Sequence, residues 1–372
     1  MYNRTFFAVT GMLALRAARD ATVHLDTVPI PDIGPDDVLI RVASAGLAPG
    51  MMALLAIGAF RHLPTTVGHE AAGTVEAVGD YVDRGLIGQR VRVHPMLSCR
   101  SCTHCRSDRE QMCRDAAMLG HAAFGSGQLQ LYARYHDGGL AEYVRVPHWL
   151  VDVLPDNVSF DVAAKVWDLG NAVRALKQAE LSVGDTLVIT AATGTMGTAT
   201  IKLAHFFGAG RLILVGRSEE RLAAVLPLAA VPVETIALES LDEDWSTTQG
   251  LSTRIREVIP GGADAAIDYI KDGAATSQAL AGLATGGTLV HMGGNLAAIP
   301  FPPAMMMLNM WRIIGTRACT RTDTDEVLRL LAQGAVQADD LITHRFALGD
   351  VQNGIAQMQE RSEHLWMAIV NP

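Results

Sequence analysis

Residues 186–209 read TLVITAATGTMGTATIKLAHFFGA. The β-branched run TLVIT predicts a strand, the glycines after it a turn, and the stretch beyond them a helix. The turn comprises Ala192, Thr193, Gly194, Thr195, Met196 and Gly197. Glycine at 194 lets the backbone approach a pyrophosphate, Gly197 lets helix and strand pack closely, and the helix start offers free N–H groups to the anion. The texture repeats downstream, with strand-like RLILVG (211–216), DAAIDYI (264–270) and GTLVHMG (287–293) and helical SQALAGLA (277–284). Strands alternating with helices predict an α/β domain built on a doubly wound parallel sheet.

Up to about residue 160 the pattern is different. Short β-type runs such as VLIRVASAG (38–46) and AAGTVEAVG (71–79) are broken by Gly and Pro, which predicts a barrel-like β domain. Two domains also suit a chain of 372 residues, more than one core usually organises. Apolar residues make up 49% and charged ones 19%, a globular balance. The net charge of −9 and the absence of any Lys/Arg run argue against nucleic acid as a partner. The apolar run LAAVLPLAAVPV (222–233) contains two prolines and falls far short of the roughly 20 residues that span a bilayer. The stretch MYNRTFFAVTGMLALRAARD (1–20) superficially resembles a signal peptide. A first strand and hairpin explain it equally well, and Arg16 and Arg19 follow its short apolar part, so the cytoplasm is the expected location.

Four of the five cysteines lie in CRSCTHCRSDREQMC (99–113). Cys99, Cys102, Cys105 and Cys113 follow C-x2-C-x2-C-x7-C, a spacing that wraps a loop around one tetrahedral zinc and leaves no open position for substrate. A disulfide pair suits a reducing compartment poorly and needs no such spacing. Cys319 stands alone and reads as a buried apolar residue.

VPIPDIGPDDVLIRVASAGL (28–47), GHEAAGTVEAVG (68–79), the cysteine loop, DGGLAEYVRVP (137–147) and the glycine turn together resemble the medium-chain dehydrogenase/reductase superfamily, the zinc alcohol dehydrogenase relatives, over essentially the whole chain. The resemblance implies a GroES-like β-barrel catalytic domain (1–163 and 317–372) with a structural zinc lobe (95–115), and a Rossmann nucleotide-binding domain (164–316). It also implies a second, catalytic zinc held by a cysteine after the Gly-Leu element, by the histidine of GHE and by a third ligand at the domain junction. Here GLAPGM (46–51) puts Ala48 at the cysteine position, with Gly50 and Met51 where a proton relay would stand. The junction AAKVWDLGNAVRAL (163–176) offers Lys165, Val166 or Trp167 for the third ligand.

His69, Glu70 and Asp168 remain as nitrogen and oxygen donors, too few and too hard for the tight zinc that thiolates give. The site is expected to work without a metal, and Lys165 is a candidate to supply the charge that zinc would otherwise supply. Its other reading is a solvated residue at a helix start. His69 is a second proton-donor candidate, or else a residue bonded to Glu70 or to backbone. The turn AATGTMG (191–197) is similar to the AASGGVG of the zinc-free quinone oxidoreductase and enoyl reductase branch.

LVGRSEERL (214–222) ends the second strand with Gly216 where an acid would select NADH. Arg217, Ser218 and Arg221 instead suit a 2′-phosphate, so NADPH is the expected cofactor beside one structural Zn2+. By resemblance Gly293, Gly294 and Asn295 of HMGGNL (291–296) lie beside the nicotinamide. FPPAMMMLNMWRIIGT (301–316) resembles the family's dimer-forming strand, so a homodimer or homotetramer is expected. Met51, Phe60, Trp167 and Met305 are candidates for an apolar pocket and an apolar small-molecule substrate. The reading is hydride transfer to a conjugated enone or alkene, or to a carbonyl. A carbonyl reductase or alcohol dehydrogenase, and a non-catalytic NADPH-binding protein, are the alternatives.

Overall fold

The computed structural model describes residues 11–360 and 364–372. Residues 1–10, with the first part of the leader-like stretch, lie outside it. The rest of that stretch forms a hairpin: Gly11–Ala17 pairs antiparallel with Val23–Pro29. The chain divides into two compact units, Met1–Trp167 with Gln337–Pro372, and Asp168–Val336. Among the described residues no helix is long and apolar enough to cross a membrane.

The first unit is the GroES-like barrel. Its main sheet runs Val151–Val153, Arg90–Val93, Ala71–Val78, Asp37–Leu47, Met367–Asn371 and Ile342–Ala347, with Tyr143–Pro147 also on Asp37–Leu47. Asp37–Leu47 is central, so both its faces are covered, and its apolar run is continuous rather than alternating. The hairpin and Thr65–Thr66 form a smaller sheet. One apolar core joins them, with Leu15, Ile40, Val67, Val75, Val144 and Val370 in its interior.

The second unit is a six-stranded parallel sheet in the order Val233–Ala237, Ala209–Gly216, Asp185–Ile189, Ala263–Asp268, Leu283–His291, Arg312–Gly315. This is the doubly wound order whose direction reverses beside the first strand. Val188, Ile213 and Ala266 lie in its core and are fully buried, which is why the central strands read as unbroken apolar runs. Residues 317–336 belong to this unit, although the sequence places the return to the barrel at 317. The reason is local: Lys177 pairs with the buried Asp323 at 2.9 Å, and Thr320 and Asp323 form a capping box that starts the helix Arg321–Ala332.

Candidate functional site

The cysteine loop is the simplest part. All five cysteines are free thiols, and the sulfurs of Cys99, Cys102, Cys105 and Cys113 lie within 4.8 Å of one another. Cys99 and Cys105 are 3.9 Å apart, Cys102 and Cys105 3.6 Å. A tetrahedron of Zn–S bonds has edges of about 3.8 Å, so the cage fits one zinc. Backbone N–H groups of Cys102 and Asp115 donate to the sulfurs of Cys99 and Cys113, each at 3.3 Å, an outer shell that holds thiolates in place. The Ser101 hydroxyl bonded to Cys99 brings that thiol down to about 6, whereas burial pushes Cys105 up to about 12. A divalent ion at the centre would ionise all four.

The GHE loop lies between Thr65–Thr66 and Ala71–Val78. Gly68 has φ +96, and a side chain there would press Leu140 at 2.6 Å, so the turn that aims His69 and Glu70 needs glycine. Lys165 ends the short helix Phe160–Ala164, which starts on the Ser159 hydroxyl accepting from the Val162 N–H. Its ammonium donates to Glu70 Oε2 at 2.6 Å, with the two side chains 2% and 0% exposed. The solvated helix-start reading is therefore corrected: Lys165 is a buried cation paired with a buried carboxylate. A Cβ at position 46 would fall 1.9 Å from Glu70 Oε2. Gly46 is thus glycine so that the carboxylate can sit against it.

His69 does not bond Glu70. Its ring stands edge-on to His121 with centroids 4.5 Å apart, and to Trp167 at 6.3 Å. Phe60 packs on His121 at 5.6 Å, and His94 on Trp167 at 5.4 Å. His69 Nδ1 and His121 Nδ1 are buried and make no hydrogen bond among the described residues. Burial lowers His69 well below the usual histidine range, helped by the charges of His121 and Lys165, and lowers His121 to about 4. Both rings are neutral near pH 7. His121 has no motif or spacing to announce it and escaped the sequence reading. Asp168 lies on the second unit, buried in the first turn of Val166–Ala179, where a negative charge suits the helix dipole. Among the described residues, the four cysteines are the sole group of three or more His, Cys, Asp or Glu placed to share a metal.

A cavity of about 460 Å3 opens beside the cysteine-equivalent position, lined by Ala48, Met51, Met52, Ile355 and Met358 among others. Its wall is apolar. Phe60 and Trp167, also expected there, instead surround the histidine pair. Met305 is on the second unit, in the helix Pro303–Asn309, partly exposed on an apolar surface with Met307 and Leu308.

In the second unit Gly194 caps the helix Thr195–Leu203. A Cβ on Gly194 would meet nothing closer than Ala191 O at 3.4 Å, whereas one on Gly197 would strike Ala192 O at 2.5 Å. Gly197 thus serves the packing of the turn, while Gly194 leaves room above it. Ala192 is buried beneath, with Thr193, Thr195 and Met196 half-buried around the opening. Gly216 ends its strand, Arg217 is exposed, and the Ser218 oxygen accepts from the Arg221 N–H at 3.4 Å to start Glu219–Val225. Glu239 accepts from the Glu219 N–H at 2.9 Å, a carboxylate that competes with a phosphate for the same helix start. Gly293 would strike Ile270 O at 2.1 Å if it carried a Cβ, and Gly294 has φ +77. The Asn295 amide is tied into its loop, donating to Gly273 O and Thr276 Oγ1.

A barrel with a zinc lobe and a doubly wound sheet with a glycine turn define a dehydrogenase-type oxidoreductase. The family models describe the two parts as an alcohol dehydrogenase GroES-like domain over residues 34–156 and a zinc-binding dehydrogenase over residues 195–333. A sorbitol dehydrogenase of Bombyx mori is 28% identical over 345 residues, 92% of this chain and 93% of its own. A sorbitol dehydrogenase of Bacillus subtilis (strain 168) is 26% identical over 94% of each chain. A zinc-binding dehydrogenase structure from Sinorhizobium meliloti 1021 bound to NADP superimposes with a TM-score of 0.83 at 23% identity, covering 97% of this chain and 99% of that one. The chain belongs to the medium-chain dehydrogenase/reductase superfamily.

Proposed function

We propose that the protein is an NADPH-dependent reductase that transfers hydride to an apolar conjugated enone or alkene, or to a carbonyl, and runs this reaction without a catalytic zinc. The observation that carries this is the buried Lys165–Glu70 pair, together with Ala48 where the family resemblance implies a cysteine. Glu70 is committed to an ammonium, and an alanine cannot ligate, so the donors here suit a charged hydrogen-bonding site better than a zinc shell.

The dinucleotide, when bound, supplies the hydride. The chain's own residues then have three tasks. The turn at Gly194 and the helix start behind it hold the pyrophosphate. Arg217 and the Ser218 hydroxyl meet the 2′-phosphate. Near the substrate oxygen, Lys165 presents its ammonium as positive charge and proton source to the charge that develops there, and His69, held neutral, donates a hydrogen bond rather than a proton. An enolate spreads its charge, so a hydrogen-bonding cation is enough for it, whereas a localised alkoxide asks more.

The apolar groove of Ala48, Met51 and Met52 supports an apolar substrate. The exposed side chains of Met307, Leu308, Met310 and Ile313 beside the edge strand Arg312–Gly315 support pairing with a second copy. The cytoplasm remains the proposed location.

The similarity to sorbitol dehydrogenases favours a second reading, an alcohol dehydrogenase or carbonyl reductase. NADPH oxidation over enones, quinones, aldehydes and ketones, with products identified, separates the two. Saturated ketones as products uphold the first reading. Alcohols from every substrate overturn transfer to the conjugated alkene and leave carbonyl reduction, and cofactor affinity with no turnover makes the protein a non-catalytic binder.

A further inference from the structure

The carboxyl edge of the nucleotide sheet carries a hydrogen-bonded chain that the mechanism above leaves unused. Asp268 ends the strand Ala263–Asp268 and is fully buried. Its carboxylate faces His291 Nδ1 at 2.6 Å and accepts from the hydroxyls of Thr276 at 2.8 Å and of Thr190. His291 ends the neighbouring strand Leu283–His291. On the far side of its ring, Nε2 accepts from the backbone N–H groups of Gly294 at 3.0 Å and Asn295 at 3.1 Å.

These contacts leave one arrangement of protons. A ring nitrogen that faces two N–H donors must be bare, so the proton of the neutral imidazole sits on Nδ1, where the carboxylate accepts it. Asn295 closes the circuit, because its amide donates to Thr276 Oγ1 at 2.8 Å, the same hydroxyl that donates to Asp268. The loop itself has little freedom: position 293 admits only glycine beside Ile270 O, and position 294 is left-handed.

The place of this chain in the sheet gives it a role. Strand order reverses between Asp185–Ile189 and Ala263–Asp268, and ligands of such sheets bind outside the carboxyl ends at that reversal. Thr190 and Asp268 stand at those two ends. The Gly194 turn and Gly216 follow the strands on one side of the reversal, so they take the pyrophosphate and the adenosine half. The loop at 293–295 is on the other side, where the remaining half must lie.

We propose that Asp268 and His291 are a positioning pair. The carboxylate fixes His291 as the Nδ1-protonated form, and Nε2 thereby holds the Gly293–Asn295 backbone where the nicotinamide half docks. This rests on the dinucleotide reading of the sheet. Neither residue need touch the reacting atoms. In Asp268→Asn the carboxylate charge that holds the Nδ1 proton is gone, the ring is free to take the other form, and the loop loses two acceptor contacts. His291→Leu removes the acceptor outright, whereas His291→Gln keeps an oxygen for the two N–H groups.

The test uses the full chain. 15N NMR of the unliganded protein reads the His291 tautomer, and amide exchange reads Gly294 and Asn295. Binding is measured with NADPH and with ADP-ribose 2′-phosphate, which lacks the nicotinamide. The expected result is a protonated Nδ1 and a bare Nε2 in the parent protein. Asp268→Asn and His291→Leu should then show faster exchange at the loop and about tenfold lower kcat, with ADP-ribose 2′-phosphate affinity unchanged and most of kcat restored in His291→Gln. An Nε2-protonated ring in the parent protein overturns the proposal, as does unchanged exchange and kcat in a folded His291→Leu. If the parent binds neither ligand, the cofactor reading falls, while tautomer and exchange still decide whether the pair holds the loop.

Discussion

Replacing Lys165 by Met deletes the ammonium and keeps a flexible stem of similar length. In the folded protein this leaves Glu70, whose side chain is wholly buried, without the cation 2.6 Å away. Removing one partner of a buried pair costs about 3–5 kcal/mol, because the other charge stays behind in a medium that solvates it badly. Total stabilities of about 5–15 kcal/mol make that loss visible in any unfolding curve. The double variant Lys165→Met/Glu70→Gln removes both charges, and neutral side chains of similar volume should return most of the loss. Stability and function then separate. Urea unfolding of the three proteins should place Lys165→Met well below the parent and the double variant near it. Turnover of an enone with NADPH should fall at least about a hundredfold in both, the usual cost of removing a donor from developing charge, with cofactor affinity retained. A Lys165→Met protein as stable as the parent would refute the buried pair. A folded double variant with parental turnover would refute the role of Lys165 in the chemistry.

Elemental analysis of active protein should return one zinc per chain, released by Cys113→Ser with increased proteolysis of the lobe at 95–115; two equivalents, with turnover lost to a chelator that leaves the fold intact, would overturn the metal-free mechanism. Arg217→Ala should lower kcat/KM for NADPH about tenfold or more against NADH, the worth of one charge-assisted hydrogen bond, and a parent enzyme that prefers NADH would remove the 2′-phosphate assignment. His121 gives a pH test. Burial holds it at about 4 against an ordinary 6.5, so between these values the unfolded chain binds more protons than the folded one. Its contribution is full above about pH 6.5 and is lost as pH falls toward 4, by up to about 3 kcal/mol. His121→Phe should flatten that slope in urea midpoints measured from pH 7.5 to 5, and an unchanged slope would show the ring is not held neutral. Gly197→Ala should destabilise the second unit, since its Cβ would lie 2.5 Å from Ala192 O, and a melting temperature equal to the parent's would show that the turn yields.

What the sequence makes legible is what short-range pattern encodes. Asp185–Ile189, Ala209–Gly216, Ala263–Asp268 and Leu283–His291 are buried runs, and their apolar texture stands out. The edge strand Val233–Ala237 does not, because only its last two residues are buried and two prolines precede it. The cysteine cage lies within fifteen residues and declares itself by spacing. Lys165 could not be decided in the same way: its partner is 95 residues away, and nothing in AAKVW distinguishes a buried ammonium from a solvated one. His121 is likewise defined by long-range packing alone. Asp268 and His291 were within reach, since both lie two residues before the ends of the strand-like runs 264–270 and 287–293, near where an open sheet places its ligand-facing groups.

On the proposed metal-free reading Ala48 and the junction residue Lys165 depart from a zinc site, while Gly46 and Glu70 belong to the Gly-Leu and GHE elements that carry the family resemblance. A metal centre needs a soft anionic donor at 48 and a third ligand at the junction. With alanine at the first position and Lys165, Val166 or Trp167 at the second, the proposed site takes its positive charge from the Lys165 side chain instead of from a bound ion. Gly46 then matters for a second reason, because only the missing Cβ lets the Glu70 carboxylate come within reach of that ammonium. In the proposed site a monovalent group that only donates hydrogen bonds would stand in for a divalent ion, which can polarise and ligate a carbonyl at once. A charge spread over a conjugated system tolerates that substitution better than a localised alkoxide does. On that proposal Ala48 and Lys165, which stand where a zinc site would have ligands, also favour conjugated acceptors.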